Sequence, residues 1–282
     1  MDHFNFLVAY PYLDAGLIQA CADATAKGHK FWMDSGAFTT YKANKAATPV
    51  DVFANFVKTF PIKPDRIFTL DVIGDPIKTE ENYRYLCSQG IDTIPIATPG
   101  AKPYEIASMY EHSDLIAIGG INTNKGAGGG GLGWAKHVLE TNKKPVHLLG
   151  SLNKSLIAKY KPYSADASSW EYGARMGHLP LYIGKGKTVV IARTDLKTKI
   201  TDQQADAIKS YGYTLKEARA EESWHGGQSM SRCIGAQSTL RFAADCHRLF
   251  NTKIVLSLTT TKALHIVLEA FDREQALKVT SK

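Results

Sequence analysis

The chain has 282 residues, 44% hydrophobic and 22% charged, with 23 glycines and 11 prolines. That balance excludes a disordered, collagenous or low-complexity chain and leaves enough apolar material for a large core. Lys and Arg number 34 against 27 Asp and Glu, a net charge of +7, which favours polyanionic partners such as nucleic acid.

Short apolar, β-branched runs recur along the chain at residues 6–10, 30–33, 66–70, 93–97, 115–118, 146–149 and, more weakly, 163–165. Segments of helical pattern lie between them. Residues 14–27 are Ala-rich and polar on one face. Thr48 stands as a cap before Pro49 at a first helical position, with Phe53, Phe56, Val57 and Phe60 following at helical spacing. Residues 79–89 and 102–111 repeat the pattern, and Gly90 is a natural stop for the first. Strand alternating with helix predicts βα units on a parallel sheet. So many consecutive units predict an α/β fold of (β/α)8 TIM type with a modified C-terminal third. There, residues 181–193 read as a hairpin around Gly184-Lys185-Gly186. Residues 202–220 and 238–250 read as helices, and 254–258 as a late, eighth strand before a final helix. The expectation is one domain over 1–282 with an inserted hairpin around 179–194.

No run of about 18 apolar residues argues for a membrane span. The N-terminal Met-Asp-His-Phe-Asn has no basic region before an apolar stretch, so no secretion signal is expected. Cys21, Cys87, Cys233 and Cys246 are scattered without framework spacing, which reads as reduced thiols in a cytoplasmic protein.

Parallel α/β proteins gather functional groups at the carboxyl ends of their strands. Here the second run ends in Asp34-Ser35-Gly36-Ala37-Phe38, the third in Leu70-Asp71, and the fifth in Gly119-Gly120. The sixth ends in Leu149-Gly150 and the seventh in Asp166-Ala167-Ser168-Ser169-Trp170. A lone Asp after a strand is usually a cap or turn former, but three at one rim, each near Gly or Ser, suggest chemistry.

Asp34-Ser35-Gly36-Ala37-Phe38 resembles the Asp-Ser-Gly-Gly-Phe segment of tRNA-guanine transglycosylases. Leu70-Asp71, Gly119-Gly120, Leu149-Gly150 and Asp166 follow in that family's order, over roughly residues 30–170. The Ala37 variant, His147-Leu148-Leu149-Gly150 and Asp166-Ala167-Ser168-Ser169-Trp170 look closer to the short phage and bacterial relatives that place 7-deazaguanine bases into DNA. The tRNA enzymes carry a Cys-x-Cys-x-x-Cys zinc core and a Pro-Thr-Arg segment after the second Asp, and neither exists here. Cys246 and His247, neighbours on one expected helix, point to different sides and suit joint ligation with Cys233 or His225 poorly. No metal and no cofactor are therefore expected.

The resemblance implies exchange of guanine in DNA for a 7-deazaguanine such as the 7-cyano form, through a covalent sugar intermediate. Such chemistry passes an oxocarbenium-like centre and needs two carboxylates. From the residues alone either Asp can take either role. The resemblance implies Asp166 as nucleophile and Asp34 as general acid and base. Asp71 can accept from the N1–H and 2-amino group of a guanine-like base. Gly119 and Gly120 let backbone approach the base edge, Phe38 can stack on its face or sit in the core, and Ser35, Leu149 and Gly150 complete the expected base site.

Two segments carry further expectations. The stretch from Asn122 to Gly133, with Lys125 among glycines, lacks the Walker spacing and reads as an active-site loop or a plain connector. Arg175, Lys185, Lys187 and Arg193 stand among Trp170, Tyr172 and Tyr182, a mixture that suits a nucleic-acid backbone and a displaced base or, more simply, a solvated hairpin. Trp224-His225-Gly226-Gly227-Gln228 and Arg232 extend that surface. The same exchange on tRNA, a non-catalytic nucleic-acid-binding barrel and a small-molecule nucleosidase are the competing readings. A second copy of the chain or a partner protein is compatible with each.

Overall fold

Eight of the apolar runs become strands of one sheet. A computed structural model describes residues 2–122, 130–225 and 229–280. In chain order its strands are β1 (Asn5–Ala9), β2 (Lys30–Asp34), β3 (Arg66–Ile67), β4 (Ile96–Ala97), β5 (Ile116–Ile118), β6 (Val146–Leu148), β7 (Ser164–Ala167), β8 (His178–Gly184), β9 (Lys187–Ala192) and β10 (Lys253–Leu258). Contacts divide the chain into two compact units, one of residues 5–167 with 251–259 and one of 1–4, 168–250 and 260–282.

The first unit is α/β. Its eight strands form a curled, all-parallel sheet in the order β3-β2-β1-β10-β7-β6-β5-β4. The order is cyclically sequential, with β10 between β7 and β1 and the edges of the sheet at β3 and β4. It follows from helices returning the chain after each strand, as parallel connections require. Those helices include Ala15–Ala26, Val50–Thr59, Pro76–Ser88, Pro103–Met109, Gly130–Thr141 and Lys154–Tyr160. Their starts are chemically marked. The Asp14 carboxylate accepts from Leu17 N at 2.8 Å, and Asp75 accepts from Lys78 N at 3.0 Å beside Pro76. One start departs from expectation. Pro49, not Thr48, holds the cap position, because Pro49 keeps extended backbone and its carbonyl accepts the first helical bond from Phe53 N at 3.1 Å. Just beyond β3 and just before β4, Phe68 bridges Ile94 in parallel, with Ile94 N donating to Ile67 O at 2.7 Å and Thr69 N to Ile94 O at 3.0 Å.

Residues from β1, β2, β4, β5 and β10, with the bridge beyond β3, share a core. Leu7, Trp32, Phe68, Ile94, Ile96, Leu115, Ala117 and Val255 pack together there. Successive strand residues alternate between faces, so Asp34, Thr98, Gly119 and Ser257 continue this inward set at the carboxyl ends of their strands.

The second unit contains the β8–β9 hairpin and the helices Asp202–Ser210, Leu215–Arg219, Met230–Phe250 and Thr261–Thr280. The hairpin turns at Lys185-Gly186, as the sequence predicts. The single helix expected over 202–220 is two. Gly212 takes φ +78°, ending the first, and Thr214 starts the second by a reciprocal cap with Glu217. The helix expected from 238 begins at Met230. Its Gln237 and Arg241 reach Glu274 on the last helix at 2.9 and 2.8 Å. Among the described residues no helix is long and apolar enough to cross a membrane. All four cysteines are free, with Cys21, Cys233 and Cys246 buried and Cys87 exposed.

Candidate active site

The site is assembled in the first unit from residues at consecutive strand ends. Asp34 closes β2, and Gly36 lets the chain turn away at once. Gly36 has φ +77°, and a Cβ there would sit 2.2 Å from the Pro11 ring, so no other residue fits. The Gly36 N–H donates to Asp34 Oδ2 at 3.1 Å. Despite that bond, burial and the nearby charges of Asp71 and then Asp166 push the Asp34 carboxyl up to about 7. Asp71, after β3, is 9% exposed, and burial raises it to about 6. The Asn82 amide fixes the preceding Leu70 carbonyl at 2.9 Å. Of the sequence-predicted carboxyls, Asp34 is thus within electrostatic reach of both Asp71 and Asp166.

Asp166, on β7, has a different environment. It is 4% exposed and held at both oxygens. Oδ1 accepts the Gly150 N–H at 2.6 Å and lies 3.1 Å from His147 Nε2, while Oδ2 accepts the Ser257 hydroxyl at 2.5 Å. His147 is fully buried on β6, with Nδ1 2.8 Å from the Ser164 hydroxyl. Its ring lies against Phe68 and Trp32, centroids 4.7 and 5.6 Å away. Groups on and just after β6 and on β10 therefore fix one carboxylate on β7, and a carboxylate oxygen carries two lone pairs, so Oδ2 keeps one beyond the Ser257 bond.

The remaining predicted base-site residues are dispersed around this centre. Ser35 is fully buried with its hydroxyl unpartnered. Gly119 is buried, Gly120 and Leu149 are half-buried, and Gly150 uses its N–H on Asp166 and its carbonyl to accept from Asn122 Nδ2 at 2.5 Å. Phe38 is 48% exposed, so it is not a core aromatic, and the Lys42 ammonium lies 4.7 Å from its ring centre. The loop from Asn122 to Gly133 lies outside the described residues over 123–129. At its far end Gly131 is required by contact, since a Cβ there would come within 2.0 Å of Gly120 O.

Three contributors escape a reading of strand-end motifs. His147 and Ser257 interrupt otherwise apolar runs at inward-facing positions, which is the signal that marks them. Thr98 follows the fourth run, and its buried hydroxyl, like that of Ser35, has no partner. A buried hydroxyl left without a hydrogen bond costs about 1–3 kcal/mol. Ser35 and Thr98, after the second and fourth runs, carry two such hydroxyls. Among the described residues no three His, Cys, Asp or Glu side chains gather into a metal-binding set. Cys246 is buried and His247 exposed on the same helix.

The predicted nucleic-acid residues lie in the second unit and form two groups. Arg175 and Arg193 line one cleft with Arg232. Lys185 and Lys187 are exposed at the hairpin turn, about 20 Å away along β8 at about 3.3 Å per residue. Residues 226–228 of the expected extension lie outside the described residues. Comparison of the chain with protein-family models, curated proteins and solved structures gives no match.

Proposed function

We propose that the curled sheet is a (β/α)8 barrel closed at the Phe68–Ile94 bridge, and that its carboxyl-end site exchanges guanine in DNA for a 7-deazaguanine base. The observation that carries this reading is the contrast between Asp166, clamped by three hydrogen-bond partners, and Asp34, half-buried, with no cation paired to it among the described residues, and raised to about 7. A positioned carboxylate beside a carboxyl that holds its proton near neutrality is a nucleophile beside an acid.

In this mechanism Asp166 Oδ2 attacks C1′ of the deoxyribose. The C1′–N9 bond breaks as Asp34 gives its proton to the departing guanine, leaving the sugar esterified to Asp166 and Asp34 ionised. The incoming 7-deazaguanine then loses its ring N–H proton to Asp34 while its nitrogen attacks C1′ and expels Asp166. The cycle returns both carboxyls to their starting states and needs neither metal nor redox cofactor. Asp71 accepts from N1–H and the 2-amino group of the base, Ser35 orders the same edge, Gly119 and Gly120 admit it closely, and Phe38 covers its face. Arg175, Lys185, Lys187 and Arg193 hold the backbone.

The test is an exchange assay with labelled guanine and labelled 7-deazaguanine, run on DNA and on tRNA at matched salt. Incorporation into DNA with little into tRNA is the expected result. Incorporation into tRNA alone assigns the same chemistry to the other polymer, and hydrolysis of free guanosine without exchange replaces the reading by a nucleosidase.

A further inference from the structure

The second unit holds three guanidinium groups that take no part in bond exchange. Arg175 on the short helix Tyr172–Arg175, Arg193 just after β9 and Arg232 on the helix Met230–Phe250 line one cleft of about 510 Å³, a volume usual for a ligand site. Two glutamates occupy their donors. Arg232 Nη2 donates to Glu171 Oε1, whose other oxygen lies 3.8 Å from Arg175 Nη2. Arg193 Nη2 donates to Glu221 Oε1, which also lies 3.0 Å from His225 Nε2. Three guanidiniums against two carboxylates leave this cluster with one positive charge in excess.

We infer that this cleft binds phosphate groups of a nucleic-acid backbone, and that Glu171 and Glu221 occupy, in the free protein, the guanidinium positions that phosphate oxygens take in the complex. The planar guanidinium fork matches carboxylate and phosphate alike. The side chains of Arg175 and Glu221 are 67% and 62% exposed, whereas Glu171, Arg232 and Arg193 are 16%, 22% and 27% exposed; the two contacts with a solvent-exposed member contribute little to stability and exchange readily. The second cationic group, Lys185 and Lys187 at the far end of the same hairpin, favours a polymer, since a span of about 20 Å exceeds any single phosphate ester. The inference deepens the DNA reading above, but its test requires no exchange.

The experiment measures binding of the full chain to a fluorescent single-stranded oligonucleotide that contains no guanine, across a salt series, with inorganic phosphate as competitor. Arg175→Gln is expected to weaken binding about three- to tenfold and to lower the salt slope by about one. Glu221→Gln is expected to act in the opposite direction, tightening binding several-fold. Both positions are exposed, and melting curves check that both variants fold. Unchanged affinity in both variants, or weaker binding by Glu221→Gln, overturns the proposal. Binding of inorganic phosphate seen by calorimetry, with no binding of the oligonucleotide, overturns its nucleic-acid source. If the oligonucleotide responds as expected while no exchange occurs on DNA, the cleft stands and the exchange reading falls. Exchange with unaltered DNA binding in both variants gives the reverse.

Discussion

Glu274 in the helical unit and the pair Asp34 and Asp71 in the sheet unit hold their carboxyl groups in opposite ways. In the helical unit, Glu274 is 8% exposed and fully matched, by Arg241 Nε at 2.8 Å and Gln237 Nε2 at 2.9 Å. In the sheet unit, among the described residues, no Lys or Arg pairs with Asp34 or Asp71, and their carboxyls rise to about 7 and 6. Where a charge serves architecture, its partner is built into the chain. Where a ligand is to supply the complement, the chain leaves the group and its neighbouring hydroxyls uncompensated, at a cost in stability.

The largest expected effect falls on Asp166. Asp166→Ala is expected to lower exchange by about 10³-fold or more, because the covalent intermediate is lost, while binding of a guanine-free oligonucleotide stays within about twofold. Exchange kinetics and binding measured side by side check this. Turnover near that of the unmodified protein removes Asp166 as nucleophile.

The comparison sharpens when one carboxylate is neutralised in each unit. Glu274→Gln leaves Arg241 without its partner in a largely buried site and is expected to destabilise the protein by about 3 kcal/mol. Asp34→Asn is expected to do the reverse while lowering the chemical step about 10²-fold. The folded protein holds the Asp34 proton up to about pH 7, whereas the unfolded chain releases it near 3.8, the ordinary value for an aspartate. Stability therefore falls as pH rises through that window. Asn cannot ionise and escapes this loss, so the gain in Tm is expected to be roughly 4–8 °C at pH 8 and near zero at pH 4. Exchange by the unmodified protein is expected to decline above about pH 7 as Asp34 loses its proton. Calorimetry of both variants across pH decides the matter, and a lower Tm for Asp34→Asn at pH 8 breaks the contrast.

Much of this arrangement is legible in the sequence. The strand runs, their parallel alternation and Asp34, Asp71 and Asp166 at strand ends all follow from period, turn residues and a shared motif order. Bonds between strands distant in sequence do not. Nothing local to His147 or Ser257 says that both reach Asp166, because that depends on β6, β7 and β10 lying side by side. The break at Gly212 does carry a local signal, since Gly212 is followed by Thr214 with Glu217 three residues on, the pattern of a new helix start. The split of the basic residues also lies beyond the one-dimensional pattern. Arg193 and Lys187 are close in sequence, yet β9 carries them to opposite ends of a hairpin.

A smaller effect is expected at Thr98. Thr98→Val keeps the shape of the side chain and removes the unpartnered hydroxyl. If that hydroxyl binds the base, KM for the incoming 7-deazaguanine rises about three- to tenfold with kcat nearly unchanged, and the empty protein gains stability. An unaltered KM assigns Thr98 to architecture alone.

The most direct test of the central claim is to trap the sugar on the enzyme. The unmodified protein is mixed with guanine-containing DNA without added base, quenched under denaturing conditions and digested, and the adduct is located by mass spectrometry. The account predicts a deoxyribose ester on the peptide carrying Asp166, absent when Asp166 is replaced by Ala. An adduct on the peptide carrying Asp34 in the Asp166→Ala protein, with none on Asp166 in the other, would contradict it.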